Sequence, residues 1–150
     1  MRSSNSIGFT GTQRGMTEGQ LSQLASLLLF LQPDVFHHGD CIGADEQAHY
    51  LVKKILPDCQ IIIHPPVIPE KRAYCGFKEE SKKFRHPTQE DASLIILSPM
   101  SYLVRNYEIV DTSAMLMATP GERVEVLRSG TWATVRYAVK SNKPVELILP

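Results

Sequence analysis

SIGFTGTQRGMTEGQLSQLASLLLFLQP, residues 6–33, decides how the rest of the chain is read. Ser6–Thr10 is a short apolar run that stops at Gly11-Thr12, the pattern of a strand entering a tight turn. Thr17 stands three residues before Gln20, a capping-box spacing that starts a helix. Leu21, Leu24, Leu27, Leu28 and Leu31 follow at helical intervals, and Pro33 closes the element. Strand, turn and helix in that order form the opening of a βαβ unit.

The alternation repeats outward from this stretch. Val35–His38 reads as a second strand, stopped by Gly39-Asp40, and Ala44, Ala48, Leu51, Val52 and Ile55 mark a second helix ending near Pro57. Cys59–His64 is a β-branched third strand closed by Pro65-Pro66. Tyr102–Thr112 reads as a helix and Ala114–Thr119 as a fourth strand ending at Pro120-Gly121. Ser129 caps a helix running to about Ser141, where Asn142 and Pro144 are stop signals, and Val145–Leu149 is a fifth strand. Such alternation predicts one α/β domain over residues 1–150. Its core is an open, mostly parallel five-stranded sheet of order 3-2-1-4-5, with helices on both faces.

Residues 67–101 interrupt the regularity. Pro66, Pro69, Pro87 and Pro99 lie in or around the segment, and its only strand-like run is Leu94–Leu97. It carries Lys71, Arg72, Lys78, Lys82, Lys83 and Arg85 against Glu70, Glu79 and Glu80. Two readings stand side by side: a solvated charged loop, or a flap or interface segment over a site.

Composition removes several function classes. With 43% apolar and 21% charged residues, the chain has the balance of a globular protein rather than a disordered one. Sixteen Lys and Arg against sixteen Asp and Glu give zero formal net charge, which disfavours nucleic acid or anionic lipid as a partner. No run approaches the ~20 apolar residues of a membrane span. The opening stretch 1–11 lacks the apolar core of a secretory signal, and Cys41, Cys59 and Cys75 form no CxxC pair. A cytoplasmic protein with reduced thiols is therefore expected.

In an open parallel sheet, ligands bind beyond the carboxyl ends of the strands where the winding reverses, here between the first and fourth strands. The segments at those ends supply the candidate binding residues: Gly11, Thr12 and Arg14; His38, Gly39, Asp40, Gly43 and Asp45; His64; Arg105 and Asn106; Ser129, Gly130, Thr131 and Trp132. Ser129-Gly130-Thr131 opens a helix, whose free amides and partial positive charge suit an anion. Arg105 reads as a bidentate phosphate partner or as an exposed helix arginine. Asp45 reads as a ribose acceptor or a helix-terminal acid, and Asn106 as a reader of base or ribose or as an orienting group for its helix. Trp132 reads as a base-stacking ring or a core anchor. His38 and His64 read as phosphate or ribose donors or as rim residues. Met115 and Met117 read as packing. His37, His38, His64, His86 and the cysteines have no compact zinc spacing, so no metal and no cofactor is expected. The chain has no Rossmann or Walker glycine motif and no G-x-S-x-G elbow.

The segments FTGTQRG, HHGDCIGADEQAH, IIIHPP, YLVRNYEIVD and RSGTWATVRYA, taken in order, resemble the SLOG superfamily. That group includes the DNA-processing protein A family and the "lonely guy" phosphoribohydrolases, and the likeness here is to its small YspA-like branch. The resemblance implies a Rossmann-like fold and a nucleotide-derived ligand in the crevice. Some members sense ADP-ribose-type signals in antiviral defence. One departure bears on catalysis: the phosphoribohydrolases resemble P-G-G-x-G-T-x-x-E, and the glutamate position here holds Thr134. Threonine neither carries the charge that stabilises an oxocarbenium-like centre nor serves as a general base near neutral pH.

The expectation is non-catalytic binding of a nucleotide-derived or ADP-ribose-like small molecule, for sensing or sequestration, of which a phage anti-defence sponge is one form. The alternatives are a nucleotide N-glycosidase or phosphoribohydrolase using Asp40, Asp45, Glu108 or Asp111, and single-stranded DNA binding. A homodimer or larger homo-oligomer is expected from the fold's relatives.

Overall fold

A computed structural model describes residues 5–150. Residues 1–4, the start of the stretch read for a secretory signal, lie outside the described residues. The strands are β1 (Ser6–Gly11), β2 (Val35–His38), β3 (Gln60–Ile63), β4 (Ile95–Ile96), β5 (Met115–Thr119) and β6 (Val145–Leu147). The helices are α1 (Glu18–Leu31), α2 (Ala44–Ile55), α3 (Tyr102–Thr112) and α4 (Gly130–Lys140).

The sheet has six strands in the order β4-β3-β2-β1-β5-β6, and every pairing is parallel. The predicted order of the five longer strands is retained, but the count of five is corrected. Ile95 and Ile96, inside the strand-like run of the middle segment, pair with Ile62 and Ile63 and extend the sheet at its β3 edge. No helix among the described residues is long and apolar enough to cross a membrane.

Side-chain alternation along the strands divides the core in two. Ile7, Phe9, Phe36, Ile61, Ile63 and Met117 pack with Leu24 and Leu28 of α1 and Ala44, Ala48 and Val52 of α2. Leu116 and Ala118 face the other way, onto Trp132, Val135 and Ala138 of α4 and Val110 of α3. Helix α1 starts as its sequence predicts: the Thr17 hydroxyl accepts from Gln20 N at 3.1 Å, and Gln20 Oε1 accepts from Thr17 N at 3.0 Å. Gln20 also donates to the carbonyls of Pro120 and Ile148, tying the first helix to the ends of β5 and β6.

The middle segment is anchored along its length. Isolated bridges join Cys41 to Arg72, Pro66 to Met100 and Phe77 to Gln89, and Ala73, Cys75 and Leu94 are buried in the α1–α2 core. The chain leaves β1 toward β2, β3 and β4, then returns on the opposite side to β5 and β6. The reversal between β1 and β5 opens a crevice at their carboxyl ends.

Candidate functional site

Two loops meet in that crevice. Thr12 N donates to Thr119 O at 3.0 Å, and Thr12 O accepts from Gly15 N and Ala44 N, so the turn after β1 is fixed to both β5 and α2. Across from it, the Ser129 hydroxyl accepts from Trp132 N at 3.2 Å and caps α4. That bond leaves Gly130 N and Thr131 N as the free amides of the first helical turn. Gly11, Thr12, Gln13, Arg14, Gly121, Glu122, Ser129, Gly130 and Thr131 line one cleft of about 630 Å³, with Tyr102, Val126, Arg128 and, from the middle segment, Ile68 and Lys71. This volume lies within the range of sites for drug-sized ligands.

The cleft wall is cationic. Arg14, Lys71 and Arg128 line it against a single carboxylate, Glu122. Arg14 Nη2 donates to Glu122 Oε2 at 2.6 Å, while Lys71 Nζ reaches only Gln13 Oε1, at 3.4 Å. Arg128 forms no ion pair among the described residues. Tyr102 stands over Gly130, where a Cβ would come within 2.5 Å of its oxygen. Burial raises the Tyr102 phenol above its ordinary pKa, and its hydroxyl hydrogen-bonds with the Gln13 side chain.

Six expected residues therefore share the cleft: Gly11, Thr12, Arg14, Ser129, Gly130 and Thr131. The structure places the other nine elsewhere. Arg105 is 3% exposed, and its Nη1 donates to Gly39 O at 2.6 Å and His64 O at 3.3 Å, so the expected phosphate partner ties the ends of β2 and β3 together. Gly39 leaves room for that guanidinium, which a Cβ would strike. Asp40 is fully buried and accepts from Arg72 Nε at 2.8 Å and Cys75 N at 2.9 Å, which pins the middle segment. Gly43, at φ +91°, packs against the main chain of Gln13. Asp45 accepts from Cys41 N at 3.1 Å, and burial pushes its pKa up to about 6 against the pull of Arg105. Asn106 is buried on α3. Trp132 is in the α4 core, where its indole N–H donates to Glu122 Oε1 at 3.1 Å.

His38 and His64 belong to two separate hydrogen-bonded chains. His38 Nδ1 accepts from Asp40 N at 2.9 Å, so a neutral ring carries its proton on Nε2 and donates it to His49 Nδ1, also at 2.9 Å. On the opposite face, His64 Nδ1 donates to Glu108 Oε1 at 2.8 Å. That assigns His64 Nε2 as acceptor from His37 Nδ1 at 2.9 Å. Burial lowers the pKa of all four rings, those of His37 and His49 to about 4.

Folding does gather a cluster that sequence spacing missed. One ligand atom each from His38, His49 and Cys75 lies within 4.8 Å of the others. Metal-binding histidines donate through their second nitrogen, however, and the second nitrogen of His38 is an acceptor. Burial also raises the Cys75 thiol well above its ordinary pKa. The arrangement fits a hydrogen-bonded core unit rather than a metal centre.

The carboxylates proposed as replacements for the missing glutamate are committed elsewhere: Asp40 and Asp45 as above, Glu108 to His64, and Asp111 to the Tyr137 hydroxyl at 2.8 Å. Thr134 is 1% exposed and donates to Gly130 O at 2.8 Å. Sequence reasoning missed Gln13, Ile68, Lys71, Tyr102, Glu122, Val126 and Arg128. Gln13 and Tyr102 lie inside segments already singled out, Lys71 in the segment read as a loop or flap, and Arg128 directly before the helix cap, while Ile68, Glu122 and Val126 had no local signal. No family model matches the sequence, and no curated protein matches it.

Proposed function

We propose that the chain binds a small phosphorylated nucleoside or ADP-ribose-like molecule in the cleft between β1 and β5, and holds it without turnover. One observation carries this reading. The turn after β1 and the first turn of α4 line the same hollow, with three cations and one carboxylate in its wall, in a chain of zero net charge. Oriented amides and concentrated positive charge are what a phosphate group requires. The likeness of FTGTQRG and RSGTWATVRYA to SLOG segments supports the same ligand class, and with it a cytoplasmic sensing or sequestering role.

The competing reading is an N-glycosidase, and Glu122 is the observation in its favour, because it puts a carboxylate in the cleft. Its two oxygens are engaged by Arg14 and Trp132, which favours holding over proton transfer. Incubation with nucleoside monophosphates and cyclic ADP-ribose isomers, followed by heat denaturation, separates the readings. Intact ligand in the supernatant is expected; free base and ribose phosphate would establish catalysis instead.

A further inference from the structure

Glu122 is at odds with a site built for anions. It is the only carboxylate among the described residues lining the cleft, and it faces the space that Arg14, Lys71, Arg128 and the α4 amides make favourable to phosphate. A bare phosphate gains nothing from it and is repelled. The side chain has two partners, the solvent-exposed Arg14 and the buried Trp132. Arg14 Nη2 grips Oε2 at 2.6 Å from the cleft side, and the indole of Trp132, itself anchored in the α4 core, grips Oε1 at 3.1 Å. Each oxygen thus has one partner and retains acceptor capacity for another. One-third of the side chain stays exposed.

A carboxylate with two available acceptor positions, next to the arginine proposed to meet phosphate, suits a ligand that carries paired hydrogen-bond donors close to its anionic group. The vicinal hydroxyls of ribose meet that description. The donor edge of a guanine also pairs with carboxylates, but in a nucleotide it lies beyond the sugar, farther from the 5′-phosphate that Arg14 would hold. Asp45, read on sequence as a ribose acceptor or a helix-terminal acid, is buried and does not line the cleft.

Resting on the proposed phosphate-binding reading, we infer that Glu122 reads the ribose diol and makes the site selective for ribonucleotides over deoxyribonucleotides and free phosphate. The test is calorimetric titration of wild type, Glu122→Gln and Glu122→Asp with AMP, its 2′,3′-dideoxy analogue, GMP and inorganic pyrophosphate. Wild type is expected to prefer AMP to the dideoxy analogue at least tenfold. Glu122→Gln is expected to reduce that ratio to below threefold while binding pyrophosphate more tightly. Glu122→Asp keeps the charge but withdraws it by one methylene, so it is expected to lose the ratio with pyrophosphate affinity unchanged.

If Glu122→Gln tightens AMP and the dideoxy analogue equally, Glu122 is only a counter-ion to Arg14 and the inference fails while the phosphate site stands. A wild-type preference for GMP over AMP that Glu122→Gln removes would assign the carboxylate to the base and also overturn it. If no phosphate-bearing probe binds wild type, the proposed function fails and the inference with it. Unchanged melting temperatures would show that the variants are folded.

Discussion

Arg105→Ala separates a clamp from a ligand residue. The guanidinium donates to two main-chain carbonyls, Gly39 O and His64 O, at the ends of β2 and β3. Truncation leaves both buried acceptors without that donor, at about 1–3 kcal/mol each. It also removes the cation that opposes the burial-driven rise in the Asp45 pKa. The expected loss is about 4 kcal/mol at pH 7, a large share of the 5–15 kcal/mol of a typical domain, and about 10 °C in Tm at this chain length. Urea unfolding followed by far-UV circular dichroism measures it.

The pH dependence adds a second signature. Asp45 already has a folded pKa of about 6, above its ordinary value, so ionising it costs stability as pH rises through that range. Without Arg105 that cost grows, and protonation relieves it. The deficit of Arg105→Ala relative to wild type is therefore expected to be greatest at pH 8 and to narrow toward pH 5. A variant within 1 kcal/mol of wild type that instead loses nucleotide binding would refute this reasoning and return Arg105 to the phosphate site.

Acid should unfold the protein early: His37 and His49 have folded pKa values of about 4 against 6.5. The stability they confer is present above pH 6.5 and lost as pH falls toward 4, on the order of 3 kcal/mol for each ring. A flat urea midpoint between pH 7 and 4.5 would contradict that. Zinc at tenfold excess should leave Tm within 1 °C, because the His38 proton occupies the ligating nitrogen; a rise of several degrees that Cys75→Ser abolishes would establish a metal site. Gly11→Ala should cost about 2–3 kcal/mol in thermal unfolding, since a Cβ there collides with Thr119 Oγ1 and Ala44 Cβ. Wild-type Tm in that variant would mean the turn after β1 is looser than drawn.

The fold was legible where local pattern and tertiary placement agree. Leu24 and Leu28 lie on the buried stripe that their spacing announces, and Thr17 and Ser129 cap the helices they precede. The strand-like run Leu94–Leu97 was visible, but its place in the sheet was not, because β4 is two residues long and pairs with β3, more than thirty residues upstream. Trp132 was ambiguous as a single residue, yet Trp132, Val135 and Ala138 share one helical face, and that spacing already favours the core. Asp40, Asp45 and Arg105 could not be resolved. A polar residue at a strand end or in a helix looks the same in sequence whether it faces solvent or a buried partner, and the partners of Asp40 come from Arg72 and Cys75.

The glycines at these strand ends and at the start of α4 carry less functional weight than their number suggests. Gly39 makes way for Arg105, Gly11 for Thr119 and Ala44, and Gly130 for Tyr102, so the protein itself fills the space each one leaves. A glycine-rich strand end is thus compatible with close packing alone, and the signal that distinguishes a phosphate site must come from elsewhere. For the proposed site it comes from charge. Arg14, Lys71 and Arg128 reach one hollow from three separate parts of the chain, and neither net charge nor any local run of basic residues reveals that convergence. Lys71 is the clearest case: its segment reads equally as a solvated charged loop or as a flap, and the Cys41–Arg72 bridge and the buried Asp40–Arg72 pair help bring that lysine to the wall of the cleft. Anion affinity should accordingly depend on the integrity of the Asp40–Arg72 pair as well as on the residues that would touch the ligand.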